Sequence, residues 1–189
     1  MEALLLLVAI PAVLIIGIIV VYNGIIGAYN AVERGWASVL TQERQKNKII
    51  PTIEKLVEDY KLHESGVLTE VTKLRSALAD LKEGQMDANC LAKAEQSTAG
   101  LMKGLQVAVE AYPELKASDV YLKLMAEISE QQAQIGAAIR IFNQNVEDFN
   151  NKIQMFPGSV VNGMFNKKQK INTFTDQEAE SGFDYKPNF

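Results

Sequence analysis

Between Glu2 and Glu33 the chain carries no charged residue, and the first part of that interval, Ala3 to Tyr22, is apolar without a break. Twenty helical residues at 1.5 Å each cover roughly 30 Å, the thickness of a bilayer's hydrocarbon core. A helix buried in a soluble bundle keeps a polar stripe for water. None exists here from Leu4 to Tyr22. A secretory signal would need a basic n-region and a shorter apolar core, whereas this segment opens on Met1-Glu2, and Cys90 lies too far downstream for a lipobox. The expectation is an uncleaved transmembrane anchor, kinked near Leu7–Pro11 because Pro11 lacks an N–H and crowds the carbonyl of Leu7. Arg34, Arg44, Lys46 and Lys48 all follow the span. The positive-inside rule then puts the N-terminus outside and the remaining domain in the cytoplasm.

The residues beyond the anchor suffice for one domain with a core. A net charge of −4 argues against a nucleic-acid partner, which calls for a basic face. A lone cysteine, Cys90, forms no internal disulfide, and a lone histidine, His63, leaves neither a histidine metal site nor a Ser-His-Asp triad. No cofactor is expected.

Apolar residues recur at steps of three and four from Ile25 to Ile153, and no stretch alternates with period two. The first run passes through Tyr29, Val32, Trp36 and Val39, lapses at Glu43 and Lys46, and resumes at Ile50, Ile53, Val57 and Tyr60. Its phase survives Pro51, which either kinks a continuous helix or begins a new one. After Val67, Val71, Leu74, Leu78 and Leu81, the residues Lys82-Glu83-Gly84-Gln85 offer a break, with Gly84 suited to a left-handed helix end. A second helix is expected from about Asp87 to Tyr112, ended by Pro113. Ser118 or Asp119 then caps the last. That helix has the most regular pattern: Leu122, Met125, Ile128, Gln132, Ile135, Ile139, Phe142, Val146, Phe149 and Ile153 make a heptad seam, with Gln132 as a polar member able to fix register. The fold class is therefore all-α: a single N-terminal transmembrane helix (residues 1–23) continuing into an antiparallel bundle of three to four long helices (24–156), followed by a short basic segment and polar tail (157–189).

Two features bear on function. Gly24, Gly27, Ala28, Ala31 and Gly35 form small-xxx-small pairs where the anchor leaves the bilayer, a pattern that lets helix backbones approach closely and suits a homo-oligomer. Farther on, Val160, Val161, Met164 and Phe165 precede Lys167, Lys168 and Lys170, an apolar turn beside a basic cluster of the kind that rests on anionic lipid. Tyr22 would sit at headgroup level.

Several motifs resemble those of the LemA family: Trp36-Ala37-Ser38-Val39 with Gln42 and Ile49-Ile50-Pro51; Tyr60-Lys61-Leu62-His63-Glu64; Tyr112-Pro113 with Leu115-Lys116-Ala117-Ser118; and Arg140, Phe142-Asn143, Val146, Asn150, Ile153 and Phe156-Pro157. The likeness runs from the anchor to about Phe165. It departs at Arg44-Gln45-Lys46, where the family has a basic pair, and at Lys48, where it has an acidic residue. The resemblance implies a bacterial inner-membrane protein with one span and a helical bundle. One branch of the family is linked to magnetosome membrane formation, which implies membrane organisation.

Catalysis finds no support in the residues. His63-Glu64 would need a second histidine at position 67, where Val67 stands, and there is no glycine-rich phosphate loop or nucleophile elbow. The expectation is a non-enzymatic, membrane-anchored scaffold that self-associates and organises or shapes the membrane, with the bilayer and an unidentified protein as partners; the alternative is a lipid-binding or signalling adaptor that binds a protein partner through its helical bundle.

Overall fold

The computed structural model describes residues 2–60, 66–82 and 86–174, with side chains from residue 7 onward. The described residues contain helices, turns and irregular segments, with no strand among them. The elements are α1 (Glu2–Gln45), a 3₁₀ turn (Lys46–Lys48), α2 (Ile50–Asp59), α3 (Val67–Asp80), α4 (Ala88–Ala111), α5 (Pro113–Lys116), α6 (Asp119–Gln154), α7 (Gly158–Val161) and a π-helical turn (Asn162–Asn166). The fold is all-α, as its periodicity requires.

α1 passes through Pro11 as one element and is 44 residues long. Among the described residues it alone is long and apolar enough, by composition, to cross a membrane. Its flanks from Leu7 to Val20 are exposed on all sides, as a lipid-solvated helix would be. The ambiguity at Pro51 resolves in favour of a new helix. Lys46–Lys48 tighten into a 3₁₀ turn, and Pro51 enters the first turn of α2, where its missing N–H leaves no bond unmade. Gly66, at φ 74, precedes α3 in the left-handed conformation that suits glycine. The anticipated glycine at position 84 lies outside the described residues, as does His63. α4 begins one residue after Asp87, whose carboxylate accepts from the N–H groups of Asn89 and Cys90 at 2.8 and 3.4 Å. The Cys90 thiol donates to the same carboxylate at 3.4 Å, and that bond holds the thiol above its ordinary pKa. α6 spans 36 residues, and the carbonyl of Ser118 accepts its first helical bond, from Leu122.

The chain divides into two compact units. The first comprises α1 to Gly35 together with residues 140–173. There α1 and the end of α6 run antiparallel: Gly35 lies by Phe142, the Ala31 carbonyl accepts from Asn145 Nδ2 at 3.0 Å, and Tyr29 meets Phe149 edge-to-face at 5.5 Å. Ile25, Val32, Phe142, Val146, Phe149 and Ile153 are buried in this unit. The second comprises residues 36–139 together with Phe174. α3 and α4 pack as an antiparallel hairpin, with Glu70 beside Gly100 and Val67 beside Gly104. Arg44 donates to the carbonyl of Leu81 at 3.0 Å, satisfying a group at the end of α3. Of the expected heptad seam of α6, Ile128, Ile135, Phe142, Val146, Phe149 and Ile153 are buried, but Gln132 and Ile139 are only half-buried, and the residues before them, Gln131 and Ala138, take the interior places. Leu124 is buried and Leu122 exposed, because the first turns of α6 meet the neighbouring helices on a face one step round.

Candidate functional site

The first region of interest is where α1 leaves its apolar span. Of the small residues expected there, Ala28 and Gly35 are buried inside the first unit. A Cβ added to Gly35 would stand 3.1 Å from Phe142 Cα and 3.0 Å from Asn145 Nδ2, so glycine is what lets α6 approach α1 at this point. Ala31 is half-buried, and its carbonyl is engaged by Asn145. Gly27 differs: it is exposed, and a Cβ there would meet nothing within 4 Å. Gly24 likewise has open space around its α-carbon and lines a groove.

That groove, about 330 Å³, is bounded on one side by Val21, Gly24 and Ile25 and on the other by Asn151, Lys152, Met155, Phe156, Pro157 and Gly158. α6 thus returns to the end of the span before the chain turns. The turn is close: a Cβ on Gly158 would run into the carbonyl of Lys152. Phe156 is 84% exposed and Met155 64%. Neither belongs to the expected lipid-facing set; in the sequence, Phe156-Pro157 figures among the motifs of the family resemblance. Exposure of a large aromatic beside an apolar span is a signal that needs the fold to be seen.

Beyond the turn, Val160, Met164 and Phe165 are exposed, whereas Val161 is 5% exposed and contributes to packing. Tyr22 is exposed on α1. The three lysines differ among themselves. Lys167 and Lys170 face solvent, Lys167 in the left-handed region at φ 50. Lys168 is half-buried, its ammonium 3.5 Å from the centroid of the Tyr29 ring, a cation–π contact. The segment from Lys167 to Phe174 has no regular secondary structure and is fastened by two asparagines. Asn162 exchanges bonds of 2.9 and 3.0 Å with the backbone of Lys168, and Asn150 does the same with Ile171 at 2.8 and 3.0 Å.

The second region lies in the other unit and was not anticipated from the sequence, where Glu43 and Lys46 read as a lapse in the apolar pattern. Both are buried, at 0% and 1% exposure. The Lys46 ammonium donates to Glu95 Oε1 and to Thr98 Oγ1, each at 2.9 Å, and forms an ion pair with Glu43 Oε2 at 2.8 Å whose geometry is not that of a hydrogen bond. Thr98 in turn donates to the Ala94 carbonyl at 2.9 Å, and Gln132 Nε2 donates to Glu95 Oε2 at 3.2 Å. Gln132 therefore makes the polar contact between α6 and α4 that its place in the seam suggested. Two carboxyls share one lysine, so both are not ionised together. Burial pushes Glu43 up to about 9, and its hydrogen bond to Glu95 adds to the rise, against the pull of Lys46. Burial also penalises the charged form of Glu95, but bonds from Glu43, Lys46 and Gln132 outweigh it and hold that carboxyl below its ordinary value. The shifts favour a protonated Glu43 beside a Glu95 carboxylate that is paired with Lys46, a combination that carries no net charge. Among the described residues, no cluster of three His, Cys, Asp or Glu side chains is disposed to hold a metal.

The LemA family model matches residues 35–184, beginning where α1 has cleared the span and running through the buried network, α6 and the turn beside the groove. Protein LemA of Metamycoplasma hominis is 28% identical over 134 residues, which is 71% of this chain. The chain spans 60% of that relative's length. The motifs around Trp36, Ile49-Ile50-Pro51 and Phe156-Pro157 thus sit in a match that extends over most of the sequence, and the chain belongs to the LemA family.

Proposed function

We propose that this protein is a membrane-anchored helical scaffold that self-associates beside the bilayer and organises it. The observation that carries the reading is α1 itself: one helix leads from the apolar span to Gln45 with no linker at the membrane exit. The unit that packs the end of α6 against α1 is built directly on the span, so neighbouring anchors would impose their geometry on that unit. Gly27 provides the site of close approach, because its face is open while Ala28 and Gly35 are used within the chain. Arg34, the basic residue nearest the span, with Arg44 beyond it, supports a cytoplasmic domain. Lys46 is withdrawn from this argument by its burial.

Gly27→Leu tests the self-association directly. The substitution meets nothing within the chain, so the fold should persist while an oligomer closed at this face falls to smaller species in detergent, as measured by sedimentation. An unchanged sedimentation coefficient sinks the role of this face. A protein already monomeric before substitution sinks the scaffold reading.

A further inference from the structure

The span needs a solvent, and the groove at its end shares it. Val13 to Val20 are exposed on a helix whose length and composition suit hydrocarbon. Val21, Gly24 and Ile25, which form one wall of the groove, follow without a break. A lipid that solvates Val20 therefore also reaches the groove mouth. The opposite wall presents Met155 and Phe156, left exposed among the described residues, on a turn held tightly by Gly158. In water, these two residues would be a liability; at the boundary between acyl chains and headgroups, their burial is favourable, at about 25 cal/mol for each Å² of apolar surface removed from water. Lys152 stands at the rim, exposed, with a stem long enough to lie along the apolar wall and an ammonium suited to a lipid phosphate.

We infer that the Met155–Phe156 turn is a second membrane contact, inserted at the acyl-chain edge of the leaflet from which α1 emerges, with a glycerophospholipid acyl chain occupying the groove. α1 is then held at two points, the span and the return of α6, which fixes its rotation about its own axis as well as its depth. This goes beyond the scaffold reading and rests on the anchor alone, not on self-association.

The test uses the full-length protein in phosphatidylglycerol/phosphatidylcholine vesicles. In a Cys90→Ser background, single cysteines are placed by Phe156→Cys, Val13→Cys and Gln106→Cys, the last on the exposed face of α4, and each is labelled with an environment-sensitive fluorophore. The label at 156 is expected to lose fluorescence to nitroxide borne high on the lipid acyl chain and to keep it against aqueous iodide. The label at 13 should be quenched by nitroxide deep in the chain, and the label at 106 by iodide alone. Quenching at 156 by iodide and not by lipid nitroxide overturns the proposal. So does shielding from both, which would mean that another copy of the chain covers the turn. If position 13 also reads as aqueous, the anchor fails and this contact fails with it. Loss of oligomers in the Gly27→Leu variant leaves the expected result at 156 unchanged.

Discussion

Lys46 illustrates how a single enclosed charge organises its surroundings. Its ammonium donates to Glu95 and Thr98 and is ion-paired with Glu43, so the cost of taking it out of water is offset only while these contacts remain. Lys46→Ala would leave the Glu95 carboxylate without its cation, and the expected loss is about 3–5 kcal/mol of unfolding free energy in urea melts. Lys46→Met, which removes the charge but keeps the volume, should cost less. Glu43 behaves differently because it already holds a proton at neutral pH. Glu43→Gln keeps both a donor for Glu95 and an acceptor for Lys46, and at mildly acidic pH it should lie within about 1 kcal/mol of the parent protein. The pH dependence separates the two states. From about 4.5, the ordinary value, to about 9, the folded protein retains a proton on Glu43 that the unfolded chain has released. Stability conferred by this group is therefore complete below that window and is lost as pH rises through it. Glu95 acts in the opposite sense: its contribution is present above the ordinary carboxylate range and is lost as pH falls below it. Glu43→Gln should flatten the fall in stability towards pH 9 while leaving the acid limb in place. An unaltered alkaline limb in chemical melts across pH would contradict the shared proton.

Among the elements, α6 has two jobs. Its first turns meet α4 through Gln132, and its last turns run beside α1 to the end of the span. The chain after α6 is then folded back and held by paired backbone bonds from Asn150 and Asn162. Asn150→Ala removes both bonds to Ile171 at once, at an expected local cost of about 1–3 kcal/mol. Amide exchange in residues 168–174 should accelerate accordingly, while the interior of α6 keeps its protection. If exchange in the segment stays slow, the asparagine is not what fastens it. Gly158→Ala acts on the turn that precedes this segment. Since a Cβ would collide with the Lys152 carbonyl, the end of α6 or the turn must move, with an expected loss of about 1–3 kcal/mol in thermal melts.

At the scale of the whole molecule, each of the two units has a hydrophobic interior, and each places a different property in it. The first encloses an aromatic pair and leaves an apolar groove open beside the span. The second encloses a neutral carboxyl–carboxylate–lysine network. The sequence by itself determined the helical class, the apolar span, and the existence and extent of α6. These depend on interactions within a few residues: the three-four recurrence of apolar side chains, a cap at Asp87, prolines at helix starts. The turn at Pro51 stayed ambiguous because a preserved hydrophobic phase is compatible with both a kink and a restart. Only the tertiary structure decided which small residues of α1 are already used, since the Asn145–Ala31 bond joins positions 114 apart. It alone turned Glu43 and Lys46 from a gap in the apolar pattern into a buried site, with Glu95 lying 49 residues from Lys46 and Thr98 lying 52. The same holds for Phe156, part of a family motif in the sequence and an exposed ring beside the span in the fold. Periodicity records the face that a helix turns inward; it carries no record of which distant residue will meet that face, and the chemistry of this protein lies in those meetings.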